Sequence, residues 1–205
     1  MCRSLLFLTL LAMPLFSHAI EEPDYKVIRK FDNFELRHYA PYVAAEVVLD
    51  TPAEDAGSQA FPILAGYIFG KNKGEKKFAM TAPVTQTAAS APAPVRMDMT
   101  APVTQATVAG GTRVQFVLPK GVTLATAPEP IDPRVQLREM PAATWAVIRY
   151  SGTWSQSNYR EHLDELRASL DAAGVATQGE PLLARYNAPF TPWFMRRNEI
   201  WLLLR

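Results

Sequence analysis

Two stretches of this chain repeat one pattern 101 residues apart: Phe34-Glu35-Leu36-Arg37, running on through Ala45 to Val47, and Val135-Gln136-Leu137-Arg138, running on through Ala146 to Ile148. Leu36 aligns with Leu137, Arg37 with Arg138, Ala45 with Ala146 and Val47 with Ile148. Each stretch alternates apolar and polar residues in part, which is the period of a strand with one buried face. Pro41 and Pro141 interrupt the two runs at nearly the same place. Proline cannot donate to a β-ladder, so each run is two strands or one sharply bent strand.

The same offset predicts a helix after each strand region. In residues 156–173, Tyr159, Leu163, Leu166, Leu170 and Ala173 recur at helical spacing and make one apolar face. Ser155 or Ser157 is placed to cap its start and Gly174 to end it. The matching segment is 55–72, with Ala56, Ala60, Leu64 and Tyr67 as the stripe, Phe61, Ile63 and Ile68 beside it, and Gly70 at the close. Pro62 falls inside this segment, lacks an N–H and crowds the preceding turn, so a kink is expected there, or a helix that starts near Phe61. Strands are expected at 76–86 and 112–118 in the first half, and at 182–186 and 199–204 in the second. Each half then reads strand, helix, strand, strand, which makes an antiparallel α+β domain with helices packed on the sheet.

Composition agrees. The chain has 205 residues, 48% hydrophobic and 20% charged, which excludes a disordered chain, a coiled coil and a disulfide-stapled miniprotein. A net charge of +1 lacks the basic excess of a generic nucleic-acid binder, so no nucleic-acid partner is expected. Seventeen prolines against ten glycines point to rigid turns and away from a mostly helical protein.

Residues 1–19, MCRSLLFLTLLAMPLFSHA, carry Arg3, an apolar run from Leu5 to Phe16, and the small-residue cleavage signature Ser17-His18-Ala19. This reads as a secretory signal peptide, too short in its apolar part to span a bilayer. Its removal leaves residues 20–205 as one domain, exported to the periplasm or secreted, without stable membrane insertion. It also removes Cys2, the only cysteine, so the mature chain is expected to have no disulfide and no thiolate. Of the histidines, His38 and His162 remain, too few for a zinc site. No nucleophile elbow, phosphate-binding glycine loop or His-Glu-x-x-His motif is present, and no enzyme activity is expected.

A shorter repeat lies within the first half. Met80-Thr81-Ala82-Pro83-Val84-Thr85-Gln86 recurs identically at Met99 to Gln105, across a spacer rich in Ala, Pro and Ser. It reads as a duplicated hairpin strand, or as a paired binding surface with two exposed methionines.

The chain resembles the SOUL haem-binding protein family. The resemblance is carried by Glu35-Leu36-Arg37-His38-Tyr39, Leu64-Ala65-Gly66-Tyr67-Ile68-Phe69-Gly70-Lys71-Asn72, Met80-Thr81-Ala82-Pro83-Val84 and Phe116-Val117-Leu118-Pro119. It continues through Asp132-Pro133-Arg134-Val135 and Arg196-Arg197-Asn198-Glu199-Ile200-Trp201-Leu202. It implies two pseudo-symmetric βαββ units forming a twisted, antiparallel, barrel-like sheet with two outer helices. It also implies reversible, non-covalent haem binding for carriage, buffering or scavenging, with a tetrapyrrole as the small-molecule partner. The alternatives are a module of the same fold for another hydrophobic molecule or a protein partner, and an uncharacterised hydrolytic enzyme.

Haem is a flat apolar disc with two carboxylates and an iron, so it asks for an apolar wall, a cation and at most an iron ligand. The resemblance places the wall between the first helix, through Phe61, Leu64, Ala65 and Ile68, and the loop 187–198, through Phe190, Trp193, Phe194 and Met195. Arg196 and Arg197 are candidates for the propionates, or for a structural network with Glu199. His38 is the metal-ligand candidate, with a strand histidine held by hydrogen bonds as the alternative.

Overall fold

The computed structural model describes residues 21–74, 94–188 and 190–205. The expected signal peptide, the expected strand at 76–86 and the first copy of the heptapeptide lie outside the described residues.

The elements run β1 (Tyr25–Lys30), β2 (Phe34–Tyr39), β3 (Tyr42–Leu49), α1 (Ala53–Ile68), β4 (Asn72–Lys73), β5 (Val103–Val108), β6 (Gly111–Val117), β7 (Glu129–Pro130), β8 (Gln136–Met140), β9 (Ala143–Tyr150), α2 (Gln156–Ala173), β10 (Thr177–Arg185) and β11 (Asn198–Leu204). Nine strands form one curled antiparallel sheet in the order β1-β2-β9-β11-β10-β5-β6-β3-β8, and β4 pairs with β7 apart from it. Leaving β1 aside, the order is a palindrome about the β10–β5 junction. Pro41 and Pro141 divide the repeated stretches into two strands each, β2 with β3 and β8 with β9. The members of a pair do not fold onto one another. β2 lies on β9 and β8 lies on β3, so each half lends its first strand to the other. The register is shared: Leu36 faces Ala146 across one junction and Leu137 faces Ala45 across the other.

β3 and β9 stand exactly at the offset read from the sequence, and α2 has the expected bounds. Ser155 Oγ accepts a hydrogen bond from the backbone N–H of Asn158 at 3.3 Å, and Gly174 closes the helix in the left-handed region at φ 64°. Ser155→Ala is expected to lower stability by about 1 kcal/mol, read as a fall in the urea midpoint at unchanged slope.

α1 begins at Ala53 and runs through Pro62, so it is the longer of the two expected helices and not one that starts near Phe61. Pro62 and Ser58 are both on the exposed face, so the carbonyl that the proline leaves without its helical donor meets water. The opposite stripe of Ala56, Ala60, Leu64 and Tyr67 is buried and holds the helix on the sheet. β5 fills the place of the first strand in the hairpin with β6 and takes up Val103, Thr104 and Gln105 of the second heptapeptide copy. β1 had no sequence expectation, and all its residues are exposed.

The core follows from the pleat. α1 packs on Val43, Ala45, Val47, Val114 and Phe116, while α2 packs on Leu36, Ala146, Ile148, Ile200 and Leu202. The alternate residues point to the inside of the curled sheet, where Tyr39, Val147, Leu182, Ala184, Tyr186 and Trp201 form a third cluster. Arg37, one residue from Leu36, is therefore turned inward and must find a counter-charge there.

Candidate functional site

That counter-charge is Glu199 on β11, a carboxylate with 0% exposure. Arg37 Nη1 donates to its Oε1 at 3.1 Å, and Arg197 Nε donates to the same oxygen at 3.0 Å. Tyr186 Oη and Trp201 Nε1 donate to Oε2 at 2.6 and 2.9 Å. Burial alone pushes this carboxyl up, but Arg37 and Arg197, helped by the hydrogen bonds from Tyr186 and Trp201, hold it below the usual carboxylate range. The Tyr186 hydroxyl is pushed well above its ordinary value by burial and by the charge of Glu199. Glu35 and Glu22 take the remaining donors of Arg37 and Arg197 at 2.8 and 2.7 Å.

The other half has a related pair. Glu46 on β3 is buried and accepts from Gln115 Nε2 at 2.8 Å and from Arg138 Nε at 2.9 Å. Arg138 is the repeat partner of Arg37, yet its carboxylate comes from a different strand. The duplicated arginines are kept while the acids that answer them are not. Both clusters are saturated ion pairs, which suits them to holding the sheet together.

The apolar surface lies at one end of this sheet. A single turn of 3-10 helix, Trp193–Met195, sits on the connection between β9 and α2, where Gly152 N–H donates to the Trp193 carbonyl at 3.0 Å. Phe190, Trp193, Phe194 and Met195 are 90, 49, 64 and 65% exposed. Trp193 and Phe194 meet edge to face with centroids 5.0 Å apart. With Ser151, Thr153, Ser157 and Asn158 they line an open depression of about 440 Å³. Pro192 directly precedes the turn and fixes its own φ, which favours a short rigid entry into it. An exposed cluster of large apolar residues is the usual mark of a binding surface.

The expected site residues are not gathered in one place. Leu64, Ala65 and Ile68 face the sheet and are buried in the α1 core, and Phe61 remains exposed, edge to face with Phe116. The periodicity that identified the helix selects its core-facing stripe, which is why three of these four residues are inside. His38 is exposed on β2, with Nδ1 3.0 Å from Thr144 Oγ1. Thr144 lies near the start of β9, whereas the aromatic turn lies beyond its end, so roughly 20 Å of strand separates the two. Arg197 is committed to Glu199 and Glu22. Arg196 donates through Nε to the Thr191 carbonyl and stacks on Trp154, 4.3 Å from its ring centroid. His162 hydrogen-bonds the Asn158 carbonyl through Nδ1 and stacks on Tyr150. The bond of Arg37 to Glu199 spans 162 residues and left no local signal in the sequence.

These features define a class, the small α+β domain built from two interleaved units on a curled sheet, each the expected βαββ with its first strand divided in two at a proline. The chain belongs to the SOUL heme-binding protein family, whose description matches residues 20–203. It is 27% identical to heme-binding protein 2 of Mus musculus over 191 residues, covering 90% of this chain and 86% of that one. It is 26% identical to heme-binding protein 1 of Mus musculus over 157 residues, covering 76% of this chain and 75% of that one. Among solved structures it is similar in fold to the C-terminal domain of EcmrR, with a TM-score of 0.57 at 11% identity, covering 88% of this chain and 98% of that one. It is also similar to a structure described as a hydrolase from Listeria innocua, with a TM-score of 0.55 at 10% identity, covering 87% of this chain and 94% of that one. At these identities the structural likeness speaks for the fold alone.

Proposed function

We propose that this chain is exported and binds haem reversibly and non-covalently, to carry, buffer or scavenge it, at the depression beside the aromatic turn. Membership of the family supports the ligand, and the exposure of Phe190, Trp193, Phe194 and Met195 is the observation that supports the place. The volume, about 440 Å³, lies in the range of small-molecule sites, and its openness suits a disc laid against the surface. Trp193 and Phe194 supply the apolar face. The hydroxyls of Ser151, Thr153 and Ser157 supply donors for carboxylates, whereas the Asn158 amide is committed to the Ser151 and Thr153 carbonyls and Glu161 sets one acidic edge. Nothing here requires an axial ligand from the protein, because burying one face of a large ring yields several kcal/mol at about 25 cal/mol per Å². The signal-like residues 1–19 support export to the periplasm or the medium.

A haemin titration followed by absorbance tests the reading. The wild type is expected to give a saturable one-to-one Soret shift. The double variant Trp193→Ala, Phe194→Ala is expected to bind at least about tenfold more weakly, from the apolar area lost. His38→Ala is expected to bind as the wild type does, because His38 sits at the far end of β9. A wild type without a saturable shift overturns haem binding. A double variant that binds normally, or a shift lost in His38→Ala, moves the site away from the turn.

A further inference from the structure

On the helix-bearing side of the sheet, a second cleft of about 140 Å³ opens over β5 and β10, where the two halves meet. Its walls include Gln105, Tyr150, Trp154, Tyr159, Leu183 and Arg185. Arg185 differs from the arginines of the two ion-pair clusters. Arg37, Arg138 and Arg197 each answer a carboxylate, whereas Arg185 has no ion pair among the described residues, and its Nε is buried without a hydrogen-bond partner. The acid that lines the cleft, Glu54, is solvent-exposed. The Arg185 guanidinium carbon stands 4.9 Å from the centroid of the Trp154 ring, which Arg196 also stacks on. α1 leaves room for this group at Gly57, where a Cβ would come within 3.3 Å of Arg185 Nη1. Burying a cation without an acid is costly, and a fold that keeps one in a cleft has a place for an anion.

We propose that this cleft binds a small planar carboxylate, an aromatic acid of about the size of benzoate. The planar guanidinium of Arg185 matches a carboxylate through its two Nη groups, for which no ion pair stands among the described residues, while its Nε is buried behind them. Trp154, Tyr150 and Tyr159 offer aromatic surface to the ring. The cleft holds one ring and not a macrocycle, so the site is distinct from the haem surface, which it adjoins at Ser155, and does not depend on haem binding. A free acid and the side-chain carboxylate of a larger ligand share this chemistry, and competition separates them.

The test is a benzoate titration of the whole protein by calorimetry, with melting temperatures in parallel. Benzoate is expected to bind saturably, and acetate, which lacks the ring, at least about tenfold more weakly. Arg185→Met is expected to lose at least about tenfold in benzoate affinity, and to melt no lower than the wild type without ligand because a half-buried cation without an ion pair is gone. Arg185→Lys keeps the charge, loses the fork and is expected to fall between the two. Protein saturated with haemin is expected to bind benzoate unchanged. Absent benzoate binding, equal binding by Arg185→Met and Arg185→Lys to that of the wild type, or equal binding of acetate overturns the proposal. Displacement of benzoate by haemin overturns the free acid as occupant.

Discussion

Glu199→Ala is expected to destabilise this protein by about 3–5 kcal/mol, enough to threaten folding altogether. The substitution removes an acid with 0% exposure and leaves Arg37 and Arg197 directed at an empty centre. Tyr186 and Trp201 lose their acceptor in the same stroke. Glu35 and Glu22 still hold one face of each arginine, which sets the loss below that of two wholly stranded cations. Urea unfolding of wild type and variant measures it. A difference under about 1 kcal/mol would mean that the two outer acids suffice. The same carboxyl makes a prediction in pH. Its folded value is held below the unfolded one, so its contribution is fully present above the unfolded carboxylate value, about 4.3, and is lost as pH falls through the folded value. Glu199→Gln is therefore expected to flatten the acid limb of the stability curve below about pH 4.

Trp201→Ala is expected to cost about 3–5 kcal/mol by a different route, the opening of a cavity. The indole is 1% exposed, lies 4.5 Å from the Tyr39 ring and 6.0 Å from that of Trp145, and centres the cluster inside the sheet. Trp201→Phe keeps most of the packing and removes the donor to Glu199, at about 1–2 kcal/mol. Because Trp201 and Glu199 share a hydrogen bond, the double variant is expected to lose clearly less than the sum of the two single losses. Additive losses in that cycle would show the two to act independently.

The offset of 101 carried most of the architecture, because a strand with one buried face leaves a period in the sequence that survives duplication. Ser155, Leu163, Leu166, Leu170 and Gly174 marked α2 residue by residue, since caps and stripes are local. Pro62 left the start of α1 open between two places, and the helix runs through it because a proline on a solvent-facing turn is tolerated where one on the core face is not. The exchange of β2 and β8 between halves was invisible, since two strands joined by a proline turn read the same whether they pair with each other or with strands 100 residues away. Of the proposed site, only the loop carried a local signal. Aromatics on a proline-rich loop stand out in the sequence, whereas the acid that meets Arg37 and the cleft that holds Arg185 are products of the fold.

The interleaving of β2 and β8 fixes an order of events as the chain folds. β2 pairs locally with β1 but finds its other ladder only on β9, and β3 is flanked on one side by β8, so the first fifty residues lack their full set of partners until about a hundred more have been made. Such non-local pairing places the molecule among slow-folding topologies, with loop closure preceding reward. Neither half severed from the other retains its full set of neighbours. Two copies of one half could recover it by trading their first strands, which is the geometry of a domain-swapped dimer.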